Sequence, residues 1–166
     1  MWGGQSVIEI GAGLGCYSAA LRAAGTSVSA YDGAQNVHQL TGGLVNSADV
    51  TAPTAIREAA DWVFCLEVGE HIPRPKTQTF LQNVLDPACS GVVLSWSDSC
   101  NGRGVGHVNC MNTTTVEGLL AGYGFALDAP ATQQAREACD WAYLRPGLMV
   151  FRRRSGQCGG ARGYKS

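Results

Sequence analysis

Short apolar runs alternate along this chain with stretches of helical periodicity. Ser6–Ile10 reads as a first strand, and Cys16–Ala24 as a helix with Tyr17, Ala20, Leu21 and Ala24 on one face and Gly25 closing it. Ser27–Tyr31 is a second strand, Leu44–Ser47 a weak third, and Thr54–Ala60 a short helix. Trp62–Leu66 is apolar without a break, as a strand covered on both faces should be. Thr77–Leu85 places Phe80, Leu81, Val84 and Leu85 on one helical face, Gly91–Trp96 is a fifth strand, and Thr115–Tyr123 a further helix. Phe125–Leu127 and Leu148–Arg152 read as a final antiparallel pair around a helical turn near Gln133–Cys139. Strand and helix in alternation predict an α/β fold, a doubly wound and mostly parallel sheet with an antiparallel pair at its C-terminal end.

Such a sheet binds ligands beyond the carboxyl ends of its strands, so the residues after each strand carry the candidate chemistry. After strand one comes Glu9-Ile10-Gly11-Ala12-Gly13-Leu14-Gly15. The glycines allow a tight turn and close approach of a ligand to the backbone. The sixth motif position is Cys16 rather than the glycine of the dinucleotide fingerprint, and Glu9 adds a carboxylate suited to a cationic ligand. After strand two comes Asp32, 21 residues beyond Gly11, where a carboxylate can accept from ribose hydroxyls. Asp49 and Val50 follow the third strand. Glu67-Val68-Gly69-Glu70-His71 follows the fourth, placing three ionisable groups at the end of a buried strand. The loop from Ser97 to Asn109 follows the fifth and contains His107.

Taken in order, Glu9–Gly15, Asp32, Asp49 and Leu66-Glu-Val-Gly-Glu-His-Ile-Pro73 resemble the class I S-adenosylmethionine-dependent methyltransferases, in the small-molecule branch with Glu-His-Ile after strand four. The resemblance spans about residues 5–153. It implies that Gly11, Gly13 and Gly15 line the methionine and ribose end of S-adenosylmethionine, with Glu9 near its amino group. Asp32 would hold the ribose, Asp49 and Val50 the adenine, and Glu67 would lie beside the cofactor. It implies methyl transfer to a small-molecule acceptor by in-line displacement, probing first an O-methyltransferase, with His71 as base, His107 second to it, and Glu70 beside them. Glu67, Glu70, His71 and His107 also resemble the Mg²⁺ site of small-RNA 3′-terminal 2′-O-methyltransferases, which offers metal-dependent RNA methylation as an alternative. A non-catalytic module of the same fold is another. A nicotinamide-dependent dehydrogenase is disfavoured by Cys16 and by the lack of a Tyr-x-x-x-Lys relay.

Composition narrows the partners. The chain has 166 residues, enough for one core, and no run near 20 apolar residues that would span a membrane. All 13 acids lie before residue 152 against 7 of the bases; the other 5 bases fall in residues 152–166. The acidic body argues against a broad nucleic-acid surface. The domain is expected over residues 1–154, with a disordered basic tail over 155–166. Seven cysteines without CxxC spacing, and no signal peptide, predict free thiols in the cytoplasm; Cys100, His107 and Cys110 are a partial zinc set at most. Strand one starts about six residues from Met1, so the helices that usually precede it are missing. The resemblance then calls for a homo-oligomer or a completing subunit.

Overall fold

The apolar runs assemble into one seven-stranded sheet of order β3-β2-β1-β4-β5-β7-β6 in a computed structural model that describes residues 4–101 and 104–154. The strands are β1 (Ser6–Ile10), β2 (Ser27–Asp32), β3 (Asn46–Ser47), β4 (Ala60–Cys65), β5 (Ala88–Leu94), β6 (Phe125–Leu127) and β7 (Met149–Arg153). The first five pair in parallel, while β7 runs antiparallel to both β5 and β6. The expected α/β class and the reversed C-terminal pair are therefore both present. The expected tail over 155–166 lies outside the described residues.

Strand β4 shows why its run is apolar throughout. Trp62 packs into the cluster with Val7, Val28, Val93 and Val150, whereas Val63 and Cys65 pack into the larger cluster with Ile8, Ile10, Phe80 and Leu94. Both faces are buried because helices cover both. Helices α3 (Thr77–Leu85) and α4 (Thr113–Gly122) supply Phe80, Leu81, Val116 and Leu120 to one face. Helices α1 (Cys16–Ala23) and α5 (Ala129–Ala138) place Leu21, Ala131 and Ala135 against the other, and the single turn α2 (Val37–Leu40) adds Val37. Between α1 and α5 this second face keeps an open apolar groove of about 660 Å³ over Trp62, Phe64 and Val93.

Two expectations fail. No helix forms over Thr54–Ala60: Thr54 takes a left-handed φ of 52°, and Ala60 already begins β4. The Asn83 side chain on α3 holds this segment extended, accepting from Ala55 N at 2.9 Å and donating to the carbonyls of Val50 and Ala52 at 2.9 and 2.8 Å. Nor are all the thiols free. Cys100 and Cys110 form a disulfide across the loop after β5, which removes both as zinc ligands; Cys16, Cys65 and Cys139 are free. Among the described residues no helix is long and apolar enough to cross a membrane.

Candidate active site

The strand order reverses between β1 and β4, so their carboxyl ends splay and open a cleft there. The cleft encloses about 290 Å³ and is walled by Gly11, Asp32, Asp49, Val50, Glu67 and His71. The turn after β1 is fixed first. Gly11 and Ala12 N–H groups donate to Tyr31 O at 2.8 and 3.0 Å, and Gly13 N donates to Asp32 Oδ2 at 2.8 Å. The glycines then divide their roles. A Cβ on Gly11 would lie 2.2 Å from Val68 Cγ2, and one on Gly15 2.7 Å from Leu44 Cδ2, so close packing as well as left-handed φ values of 78° and 79° requires glycine at both. Gly13, at φ 53°, has open space around it, while Gly11 lies in the cleft wall.

Asp32 is half-buried, with Oδ1 accepting from Ala34 N at 2.9 Å and Oδ2 from Gly13 N. Each oxygen has two lone pairs, so each retains one for a diol. Asp49 accepts from Thr51 N and Oγ1 through Oδ1 at 2.9 and 2.7 Å, which holds its carboxyl below its ordinary range. Val50 packs beside it in the wall, and Asn83 anchors that wall from behind. Asn83 went unnoticed in the sequence, although a polar residue on the inward face of Phe80–Leu85 was the available signal.

Glu9 does not line the cleft. It is 2% exposed, beneath the glycine turn, and accepts from Ser18 Oγ on α1. Burial raises its pKa, the Ser18 bond opposing and the Asp32 charge adding to the rise. A carboxyl with a raised folded-state pKa favours the folded protein while both states are protonated. That advantage disappears as pH climbs from the ordinary carboxyl range through the raised value. Glu9→Gln is therefore expected to show a flatter melting temperature between pH 4 and 8 than the parent, the gap opening upward. A constant gap in thermal unfolding across that range would contradict this account.

At the end of β4 the chain turns sharply. Glu67 adopts φ 55°, a left-handed conformation rare for a side chain of its size. Ser95, fully buried just past the end of β5, holds it there by accepting from Glu67 N and donating to Glu67 Oε1, both at 2.8 Å. A 3₁₀ turn over Gly69–His71 follows and buries Glu70 completely. Burial, and after it the neighbouring Glu67 carboxyl, push the Glu70 carboxyl up to about 7.

The loop after β5 closes over this turn. Val108 and Asn109 N–H groups both donate to Glu70 O, at 2.8 and 2.9 Å, and Trp96 Nε1 donates to Asn109 O at 2.6 Å. The Cys100–Cys110 bridge ties the outer limb to this anchored one. His107 is thereby brought against His71, the rings edge to face at 4.9 Å between centroids. Glu70, His71 and His107, grouped in the sequence reading, lie together in space, and Glu67, which accepts from Ser95 Oγ, has its carboxyl beside that of Glu70.

A second cavity of about 690 Å³ adjoins the cleft, and Glu67 lines both. Trp96, Asp98, His107, Asn112 and Tyr143 contribute to its wall. The loop after β5 was open to reading as a wall of such a space, but Asn112, Tyr143 and Pro146 join it only in the fold.

No protein-family model matches the sequence, and no curated protein matches it. Solved structures do. Magnesium protoporphyrin IX methyltransferase from Synechocystis PCC 6803, with bound SAH, superposes with a TM-score of 0.70 at 16% identity, over 92% of this chain and 75% of that one. A putative methyltransferase from Bacillus halodurans C-125 gives 0.65 at 15% identity, over 92% and 94%. An O-methyltransferase family protein from Burkholderia thailandensis gives 0.66 at 15%, over 92% and 52%. Strand order, the reversed β7 and these superpositions agree: the chain has the fold of the class I S-adenosylmethionine-dependent methyltransferases.

Proposed function

We propose that this chain binds S-adenosylmethionine in the cleft at β1, β2 and β4 and transfers its methyl group to a hydroxyl of a small-molecule acceptor held in the adjoining cavity. The observation that carries the reading is the junction of the two cavities at Glu67, with His71 in the wall of one and His107 in the wall of the other. The cofactor supplies an activated methyl on a sulfonium. The chain's own part is to hold, orient and deprotonate. Asp32 presents its two spare lone pairs to the ribose hydroxyls, and Gly13 leaves the backbone open beside them. Asp49 and Val50 flank the adenine. Holding donor and acceptor in line removes most of the entropic part of the barrier.

Proton removal falls to the histidines. His71 Nδ1 lies 3.2 Å from Gly106 O, and a carbonyl oxygen only accepts, so that nitrogen carries the proton. Nε2 is then the basic nitrogen, and His71 is the first candidate to take the acceptor's proton.

The test is isothermal titration of the full chain with S-adenosylhomocysteine, followed by transfer of radiolabelled methyl to a panel of phenols, sugars and hydroxy acids. Saturable micromolar binding with labelled product is the expected result. Absence of binding by a folded sample overturns the reading. Binding without any product favours a cofactor-binding module of the same fold.

A further inference from the structure

The second cavity is charged with one sign. Among the described residues its wall carries two acidic side chains, Glu67 and Asp98, and no lysine or arginine. Arg145 stands next to Pro146 of the wall but donates to Cys139 O, and Arg136 reaches Pro146 only to donate to its carbonyl. The two acids differ in their surroundings. Glu67 lines both cavities, accepts from Ser95 Oγ and has the Glu70 carboxyl beside it. Asp98 lines the second cavity alone, is exposed, and its carboxylate makes no hydrogen bond or ion pair among the described residues. A concave wall of one sign gathers field lines and draws in the opposite charge. The amino end of α4 also reaches this wall, but it offers only a partial positive charge, and Asn112 already caps it by accepting from Thr115 N at 2.8 Å. Tyr143 adds an exposed ring, whose face attracts a cation.

We propose that the acceptor is a hydroxylated amine, positively charged at neutral pH, whose ammonium is held by Asp98 while its hydroxyl reaches the junction beside His71. This rests on the methyl transfer proposed above and names the class of its acceptor. Two cations then occupy adjoining cavities, the sulfonium in one and the ammonium in the other. Glu67 stands between them, and its carboxylate lowers their mutual repulsion. Protonation also decides which atom reacts. An ammonium nitrogen has no lone pair, so the oxygen is the nucleophile. Its proton passes to His71 Nε2, and its electron pair forms the new C–O bond as the methyl carbon's bond to sulfur breaks, leaving those electrons on a neutral thioether. An acceptor bearing a carboxylate or phosphate meets Asp98 with like charge and finds no cation among the described residues of the wall.

The test is calorimetric titration of the full chain, with and without S-adenosylhomocysteine, using three probes that share one phenol and differ in charge: para-hydroxyphenethylamine, para-hydroxyphenylethanol and para-hydroxyphenylacetate. The ammonium compound is expected to bind about tenfold or more tightly than the carboxylate, with the alcohol between them, and the preference should shrink as salt is added. Transfer of radiolabelled methyl is expected to follow the same order. Asp98→Asn, at an exposed position whose carboxylate holds no other part of the fold, should narrow the gap to about threefold or less. Equal or tighter binding of the carboxylate, no binding of the ammonium compound by a folded sample, or an unchanged gap in Asp98→Asn overturns the proposal. The two readings fail separately. A chain that prefers the ammonium compound but takes no S-adenosylhomocysteine upholds the charge of the cavity and overturns its part in methyl transfer. One that takes S-adenosylhomocysteine and methylates the carboxylate best upholds the methyl transfer and overturns the class of acceptor.

Discussion

Asp32→Ala is expected to weaken S-adenosylhomocysteine binding by about two orders of magnitude or more while the melting temperature changes little. Hydrogen bonds to a charged acceptor contribute about 1.5–3 kcal/mol each, and the variant removes one for each ribose hydroxyl. A second loss compounds the first. Asp32 Oδ2 also holds Gly13 N at 2.8 Å, so the open segment of the glycine turn loses its tether in the same substitution. Asp32→Asn keeps one carbonyl oxygen and should fall between the two. Calorimetric titration of the three proteins decides the matter, and a loss under threefold in the alanine variant would mean that the ribose sits elsewhere.

Trp96→Ala is expected to produce the largest loss of stability of any single change near the cleft, about 3–5 kcal/mol. The indole is 1% exposed, meets Phe80 edge to face at 5.8 Å, and donates to Asn109 O at 2.6 Å. It also fills the space that Gly69 leaves, since a Cβ there would lie 2.5 Å from the ring. Removing it opens a cavity under the 3₁₀ turn and frees Asn109, which anchors the loop after β5. Urea unfolding should show the midpoint falling by more than 1 M, given slopes of about 1–3 kcal/mol per molar for small proteins. Trp96→Phe should recover most of the packing but not the hydrogen bond. A shift below a few tenths of a molar for the alanine variant would mean that the loop, not the indole, organises this region.

The strands and the glycine turn could be read from the chain because their physics is local. Trp62–Cys65 is apolar on both faces wherever it is placed, and Gly11–Gly15 bends whatever lies beside it. What could not be read depends on contacts distant in sequence. The absence of a helix at 54–60 is set by Asn83 on α3, some 28 residues away. Cys100 and Cys110 give no pairing signal until the loop between them folds back on Glu70 O. Glu9 lies close to the expected cofactor by sequence, but the pleat points its carboxylate toward Ser18 on α1. The second cavity is assembled from Glu67 and residues near 97, 113 and 146, which only the fold brings together.

The position of β7 bears on how the chain is made. It is the last strand among the described residues, yet it sits between β5 and β6 rather than at the edge. Synthesis proceeds from the N-terminus, so β5 and β6 emerge before the strand that joins them. Until residues 149–153 arrive, the nascent sheet presents β5 with an unpaired row of backbone donors and acceptors, including the apolar Val92, Val93 and Leu94. Such an edge invites pairing with a neighbouring nascent chain. Any product interrupted before Met149 keeps that exposure permanently, so premature termination here yields an aggregation hazard rather than a smaller folded domain.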